Sequence, residues 1–196
     1  MAQNLNVPEH VPRMGNAFSR GVGRYLLRVF GWTLEGEIPN KKHLMIAVAP
    51  HTSNWDFIIG MCTLLSLGLK VSYMMKREAF IWPLSGLYRF LGGIPIDRDR
   101  ATDVVEQARE AYGDSDALWM GLTPEGTRSK VPRWKSGFLR IAYAAQVPVQ
   151  LIAIDGKNKR IVLDQMIEAS SQFEQQSEEI RLYMNAKYQG IKPNNQ

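Results

Sequence analysis

The chain lacks most of the features that would settle its class at once. It has a single cysteine, Cys62, in 196 residues. That excludes an internal disulfide and a cysteine-built zinc site, and it fits a reducing compartment. No apolar run reaches the roughly 18 residues of a spanning helix; the longest, FIIGMCTLLSLGL, follows Asp56. The opening stretch MAQNLNVPEHVPRMGN is polar and broken by proline, without the basic start and apolar middle of a secretory signal. There is no RRM, zinc-finger or helix-turn-helix signature and no long Lys/Arg block, so nucleic acid is not the expected partner. A G-x-S-x-G elbow for a serine nucleophile is missing too. Histidines number three, His10, His43 and His51, and internal repeats and low-complexity segments are absent.

What remains is the profile of one folded domain, 45% hydrophobic and 22% charged. The net charge of +5 favours anionic lipid or a phosphorylated substrate as partner. Near-continuous apolar runs predict strands at Leu44–Ala49, Val71–Met75, Gly93–Ile96, Ala117–Leu122, Val149–Ile154 and Arg160–Leu163. Helical spacing predicts helices over about 56–67, 83–91, 102–112, 137–145 and 166–188. Strands without polar alternation are covered on both faces. The alternation of the two kinds therefore predicts an α/β fold: a single layered domain, its mostly parallel central sheet flanked by helices, preceded by an amphipathic N-terminal helix. The expected division is a flexible arm and interfacial helix over 1–33, then an α/β domain over 34–190. Within the arm, residues 1–16 read as mobile, and the tail GIKPNNQ reads as frayed.

The helix expected over 17–32 has a particular pattern. Phe18, Val22, Leu26, Val29 and Phe30 recur at helical spacing, while Arg20, Arg24 and Arg28 repeat every four residues. A helix at a lipid interface has this pattern. So does a core helix with a solvated arginine face.

The hexapeptide HTSNWD, His51 to Asp56, lies between the first long strand and the next helix. Residues five apart on one helix point about 140° away from each other. His51 and Asp56 can therefore meet only if His51 is in the loop and Asp56 in the first helical turn. That places them at the carboxyl edge of the sheet, where ligand crevices form. Ser53 and Asp56 also have the S-x-x-D spacing of a capping box. Asp56 is thus a helix cap, an orienting partner for a histidine base, or both. Histidine suits the base role because its ordinary pKa is near neutrality.

Two further stretches carry ligand-binding chemistry. GGIPIDRDR contains Arg98, and PEGTRS, directly after the strand ALWMGL, contains Glu125, Gly126 and Arg128. Arginine grips phosphate through two parallel hydrogen bonds, and glycine lets a backbone turn sharply or approach a ligand closely. Glu125 can bond a substrate hydroxyl or hold an arginine. The alternative for each arginine is a surface residue paired with Asp97, Asp99 or Glu125.

Together these stretches resemble the lysophospholipid acyltransferases, the family of 1-acylglycerol-3-phosphate acyltransferases. HTSNWD matches the H-x4-D block, GGIPIDR the second, PEGTRS the third and VPVQLIAI the fourth. KREAFIWPLSG resembles the stretch between the first two, with Lys76, Glu78, Pro83 and Gly86 in the expected places. The likeness covers roughly residues 34–155. Thr123 stands where the family usually has Phe, Pro95 where it has an aromatic, and Leu151 where it has proline. None of these removes a polar catalytic group.

The resemblance implies an O-acyltransferase acting on a lysophospholipid acceptor with acyl-CoA or acyl carrier protein as donor, and with no cofactor or metal. His51 would be the base and Asp56 its orienter. Arg98, Glu125, Gly126 and Arg128, with Lys76, would hold the acceptor's phosphate and glycerol. The expected location is the cytoplasmic face of a membrane, peripherally bound to an anionic surface. Donors at the N-terminus of the helix after HTSNWD are the expected oxyanion partners. The rivals are the same chemistry on another acceptor (glycerol 3-phosphate, another lysolipid or an ornithine-type lyso-lipid), a non-catalytic lipid-binding module, and a phosphate-ester hydrolase. His10 and His43, far from the motifs, read as structural or surface residues.

Overall fold

A computed structural model describes residues 5–90, 92–96 and 101–196. The strands are β1 (Thr33–Gly36), β2 (His43–Ala49), β3 (Ser72–Lys76), β4 (Gly93–Ile96), β5 (Leu118–Leu122), β6 (Val149–Asp155) and β7 (Arg160–Ile167). The helices are α1 (Ala17–Phe30), α2 (Asn54–Leu67), α3 (Leu84–Phe90), α4 (Ala101–Gly113), α5 (Gly137–Ala145) and α6 (Phe173–Lys187), with short 3-10 turns at Arg77–Ala79 and Pro193–Asn195.

The strands form one sheet in the order β1-β7-β6-β2-β5-β3-β4. Every neighbouring pair is parallel except β6 with β7. β2 therefore sits at the centre, between β5 and β6, with both ladders satisfied. Its sequence, HLMIAVA, shows why it belongs there. Met45, Ala47 and Ala49 bury into one hydrophobic core with Phe138, Leu139, Ile141 and Met184 from α5 and α6. Leu44 and Ile46 bury into a second core on the opposite face, with Leu27 of α1, Ile59 and Cys62 of α2, and Trp119. A strand with apolar side chains on both faces needs cover on both. The fold is the expected α/β layered arrangement with its mostly parallel sheet.

α1 is clamped to α2. Asn16 and Ser19 form a capping box at its start, and Gly31, with φ +73°, closes it in the left-handed conformation. A Cβ on Gly23 would lie 2.5 Å from the Ser66 nitrogen and 2.8 Å from the Cys62 carbonyl oxygen. Only glycine lets the two backbones approach this closely. Phe30 meets Trp55 edge to face at 5.6 Å, so the end of α1 lies beside the start of α2.

Several local expectations need correction. Among the described residues before α1, the stretch from Val11 to Arg13 is tied down: Val11 is buried, Arg13 bridges Leu69, and Lys70 N–H donates to the Pro12 carbonyl. The run 160–167 stays extended because β7 pairs with β6 and β1, so the last helix begins at Phe173 instead of 166. The four-residue edge strand β1 went unforeseen, being too short to show a period. The tail is docked rather than frayed. Gly156 N–H donates to the Gln189 carbonyl, and Gln196 bonds Gly190, Asn185 and Tyr188.

Candidate active site

The parallel strands β2, β5 and β6 end together. Ala47 pairs with Leu122 and Ala49 with Ala153, so the loops that follow emerge side by side. The loop after β2 carries His51 and the loop after β5 carries Glu125. His51 N–H donates to Glu125 Oε2 at 2.7 Å, which joins the two loops directly.

Asp56 does both things its spacing allowed. Ser53 is the N-cap of α2, its hydroxyl accepting from the helix's first turn while the Asp56 carboxylate returns to the cap's own N–H. The same carboxylate faces the histidine, with His51 Nδ1 3.2 Å from Asp56 Oδ2. Oδ2 also accepts the N–H of Thr52 at 2.6 Å and of Ser53 at 2.7 Å. The Asp56 side chain is fully buried, whereas that of His51 is 19% exposed. A carboxylate on Nδ1 keeps the proton on that nitrogen and leaves the Nε2 lone pair free to act as a base. Geometry thus gives a fixed tautomer and an accessible base on one short loop.

Glu125 is 8% exposed. Burial pushes its carboxyl up to about 7, opposed by the His51 N–H and reinforced by the nearby Asp56 charge. It braces the His51 backbone, a role its motif did not suggest. Gly126 turns the chain at φ +65°, its N–H returning to the Thr123 carbonyl. Arg128, two residues on, is exposed. Lys76 ends β3 at the same edge of the sheet, but its side chain lies outside what the structure describes. Arg98 likewise lies outside the described residues, as do Asp97 and Asp99.

The neighbouring hydroxyls are occupied. Ser53 caps α2, and Thr52, 1% exposed, accepts the Lys192 N–H. The amides of Thr52, Ser53, Trp55 and Asp56 are engaged as well, which removes them from the expected set of oxyanion donors. Sequence reasoning missed Thr52, Lys192 and Asn195. Asn195 Nδ2 donates to the Thr52 carbonyl at 3.0 Å, across 143 positions, and no local pattern signals it. His43 Nε2 bonds the Ser115 carbonyl at the opposite end of β2 from this loop, and exposed His10 meets Asn40. One cavity of about 370 Å³ opens near Ser72, Gly93 and Leu118, at the amino ends of the strands. Another, of about 610 Å³, lies near Lys130, Asp155 and Gln196. Neither is lined by His51. Among the described residues no cluster of His, Cys, Asp and Glu is arranged to hold a metal.

With the adjacent hydroxyls of Thr52 and Ser53 engaged elsewhere, a histidine in this setting can activate a substrate's own nucleophile, which is the logic of direct group transfer to an alcohol. The family model described as Acyltransferase matches residues 32–155, a span containing His51, Asp56, Glu125, Gly126 and Arg128. The chain belongs to that acyltransferase family. Its fold is similar to that of the 1-acyl-sn-glycerophosphate (LPA) acyltransferase PlsC from Thermotoga maritima, with TM-score 0.56 and 19% identity over 83% of this chain and 75% of that one. Comparison with curated proteins gave no match.

Proposed function

We propose that the enzyme moves a fatty acyl group from an acyl thioester, acyl-CoA or acyl carrier protein, to the free hydroxyl of 1-acyl-sn-glycerol 3-phosphate, giving phosphatidic acid. The observation that carries this reading is the buried Asp56 carboxylate on His51 Nδ1, on the loop that Glu125 braces. Arg128 and Arg98, with Lys76, anchor the acceptor's phosphate, and Gly126 gives the phosphate access to the backbone. The acceptor hydroxyl then points at His51 Nε2.

His51 takes the hydroxyl proton as the oxygen attacks the thioester carbon. The new C–O bond forms, the carbonyl oxygen gathers the negative charge, and Asp56 supports the imidazolium. Collapse breaks the C–S bond, and the leaving thiolate takes the proton from His51. Ester and free thiol leave, and the enzyme is restored. A positioned base accounts for about 10²–10⁴-fold. Holding the two substrates in line accounts for much of the rest, since well-oriented reactions gain about 7–11 kcal/mol.

The acceptor is lipid-borne, and the outer face of α1 suits a peripheral site at an anionic membrane. Phe18, Tyr25 and Val29 are 80%, 66% and 59% exposed, and Val22 lies between them on the same stripe. The face packed on α2 is instead Gly23 and Leu27. Trp55, Phe57 and Ile58 extend the exposed apolar surface onto α2. No acidic residue occurs between Glu9 and Glu35, while Arg20, Arg24 and Arg28 do. No helix among the described residues is long and apolar enough to cross a membrane.

Purified protein incubated with a panel of lysophospholipids and acyl donors, with products read by mass spectrometry, tests the proposal. We expect phosphatidic acid from the wild type and none from a folded His51→Ala variant. Full turnover in that variant would remove His51 as the base.

A further inference from the structure

We infer that the C-terminal segment from Gly190 to Asn195 is a positioning strap for the histidine loop, with Thr52 and Asn195 as its contact residues; the inference rests on the acyl-transfer reading above. Thr52 follows His51 directly, and its peptide is held on every side. Its N–H goes to Asp56. Its carbonyl accepts from Asn195 Nδ2 at 3.0 Å, and its hydroxyl accepts the Lys192 N–H at 3.0 Å. Gly190 packs against the same side chain: a Cβ there would lie 2.5 Å from Thr52 Cγ2 and 2.6 Å from Oγ1.

The strap is itself anchored. Ile191 packs against the core beneath α2. Gly190 N–H donates to Gln196 Oε1, and Gln196 in turn donates to Asn185 and the Tyr188 carbonyl. A Cβ on Gly156, after β6, would lie 2.5 Å from Ile191. The strap therefore rests on the strand next to β2 and on the end of α6, both rigid elements.

The consequence concerns catalysis more than folding. His51 is tethered at its N–H by Glu125, on the loop after β5, and at its ring by Asp56, in the first turn of α2. The strap adds a support that reaches the dipeptide from a third segment, distant from both in the sequence. A 1 Å misplacement of a reacting group costs about 10²-fold, so partial loosening should cost about tenfold in kcat. Neither Thr52 nor Asn195 need touch substrate, so KM should stay as it is.

The test is steady-state kinetics on acyl donor and lysophosphatidate for Asn195→Ala, Gly190→Ala, Thr52→Val and Thr52→Ser, with melting temperatures alongside. Asn195 is only partly buried, so its alanine variant keeps the fold even where a change at Thr52 does not. We expect Asn195→Ala, Gly190→Ala and Thr52→Val to lose about tenfold in kcat with both KM values unchanged. Thr52→Ser keeps the hydroxyl and should retain most of the turnover. Unchanged kcat in folded Asn195→Ala, even with a lowered melting temperature, overturns the proposal. So does a raised KM at constant kcat, which would make the segment part of a substrate site. Failure of the acyl-transfer reading looks different: wild type itself makes no ester, or His51→Ala makes as much.

Discussion

Replacing Glu125 by glutamine tests whether this buried carboxyl is held at the histidine loop against its own solvation. Glutamine keeps an oxygen to accept the His51 N–H and removes the ionisable group. In the folded protein the carboxyl is raised from the ordinary 4.5 to about 7, chiefly by burial. An acid raised on folding binds its proton more tightly in the folded state. Its contribution favours the fold fully below about 4.5, declines as pH climbs, and is lost above about 7. A difference of about 2.5 units corresponds to about 3 kcal/mol at 1.36 kcal/mol per unit. Denaturant unfolding of wild type and Glu125→Gln from pH 4 to 8 measures it. We expect the glutamine variant to gain on the wild type steadily between pH 4.5 and 7, by about 3 kcal/mol in all, and the gap to stay level above pH 7. A gap that does not change with pH, or one that moves the other way, would refute the assignment of a desolvated carboxyl beside His51.

Three further outcomes follow from the same geometry. Asp56→Asn keeps one acceptor oxygen for the Thr52 and Ser53 amides but loses the charge on His51, so kcat should fall at least 10³-fold with the melting temperature little changed; Asp56→Ala strips the cap too, and denaturant unfolding should show a loss of about 2 kcal/mol or more. Arg128→Ala should raise KM for the phosphorylated acceptor, and Arg128→Lys should recover only part because an ammonium lacks the bidentate fork; unchanged acceptor kinetics in both would make Arg128 a surface residue. Vesicle sedimentation should show preference for anionic lipid that the Arg20, Arg24 and Arg28 to Gln triple variant loses, about 3 kcal/mol or a hundredfold at low salt. Binding indifferent to lipid charge would leave the stripe a solvated face.

What the sequence determined by itself is the content of each short segment. Leu44 to Ala49, apolar throughout, had to be a strand covered on both faces, and the alternation of strands with helices set the α/β class. Ser53 and Asp56 carried the S-x-x-D spacing of a capping box, which left Asp56 open as a cap, as a partner for His51, or as both. The histidine and aspartate were marked as a pair, since a loop residue and a first-turn residue can meet without distant help. Tertiary structure decided everything that crosses the sheet. Glu125 braces His51 only because β2 and β5 are neighbours in register. α1 turns Gly23 and Leu27 to α2, and its apolar stripe outward, because only a glycine admits the Ser66 backbone at that distance; helical spacing alone pointed the stripe either way. The last residues, polar and with Pro and Asn in the manner of a loose end, are held at Thr52 by partners more than a hundred positions away. Hydrogen bonds of that range leave no trace in local periodicity, because they depend on where the whole fold carries the two segments and not on what either segment prefers alone.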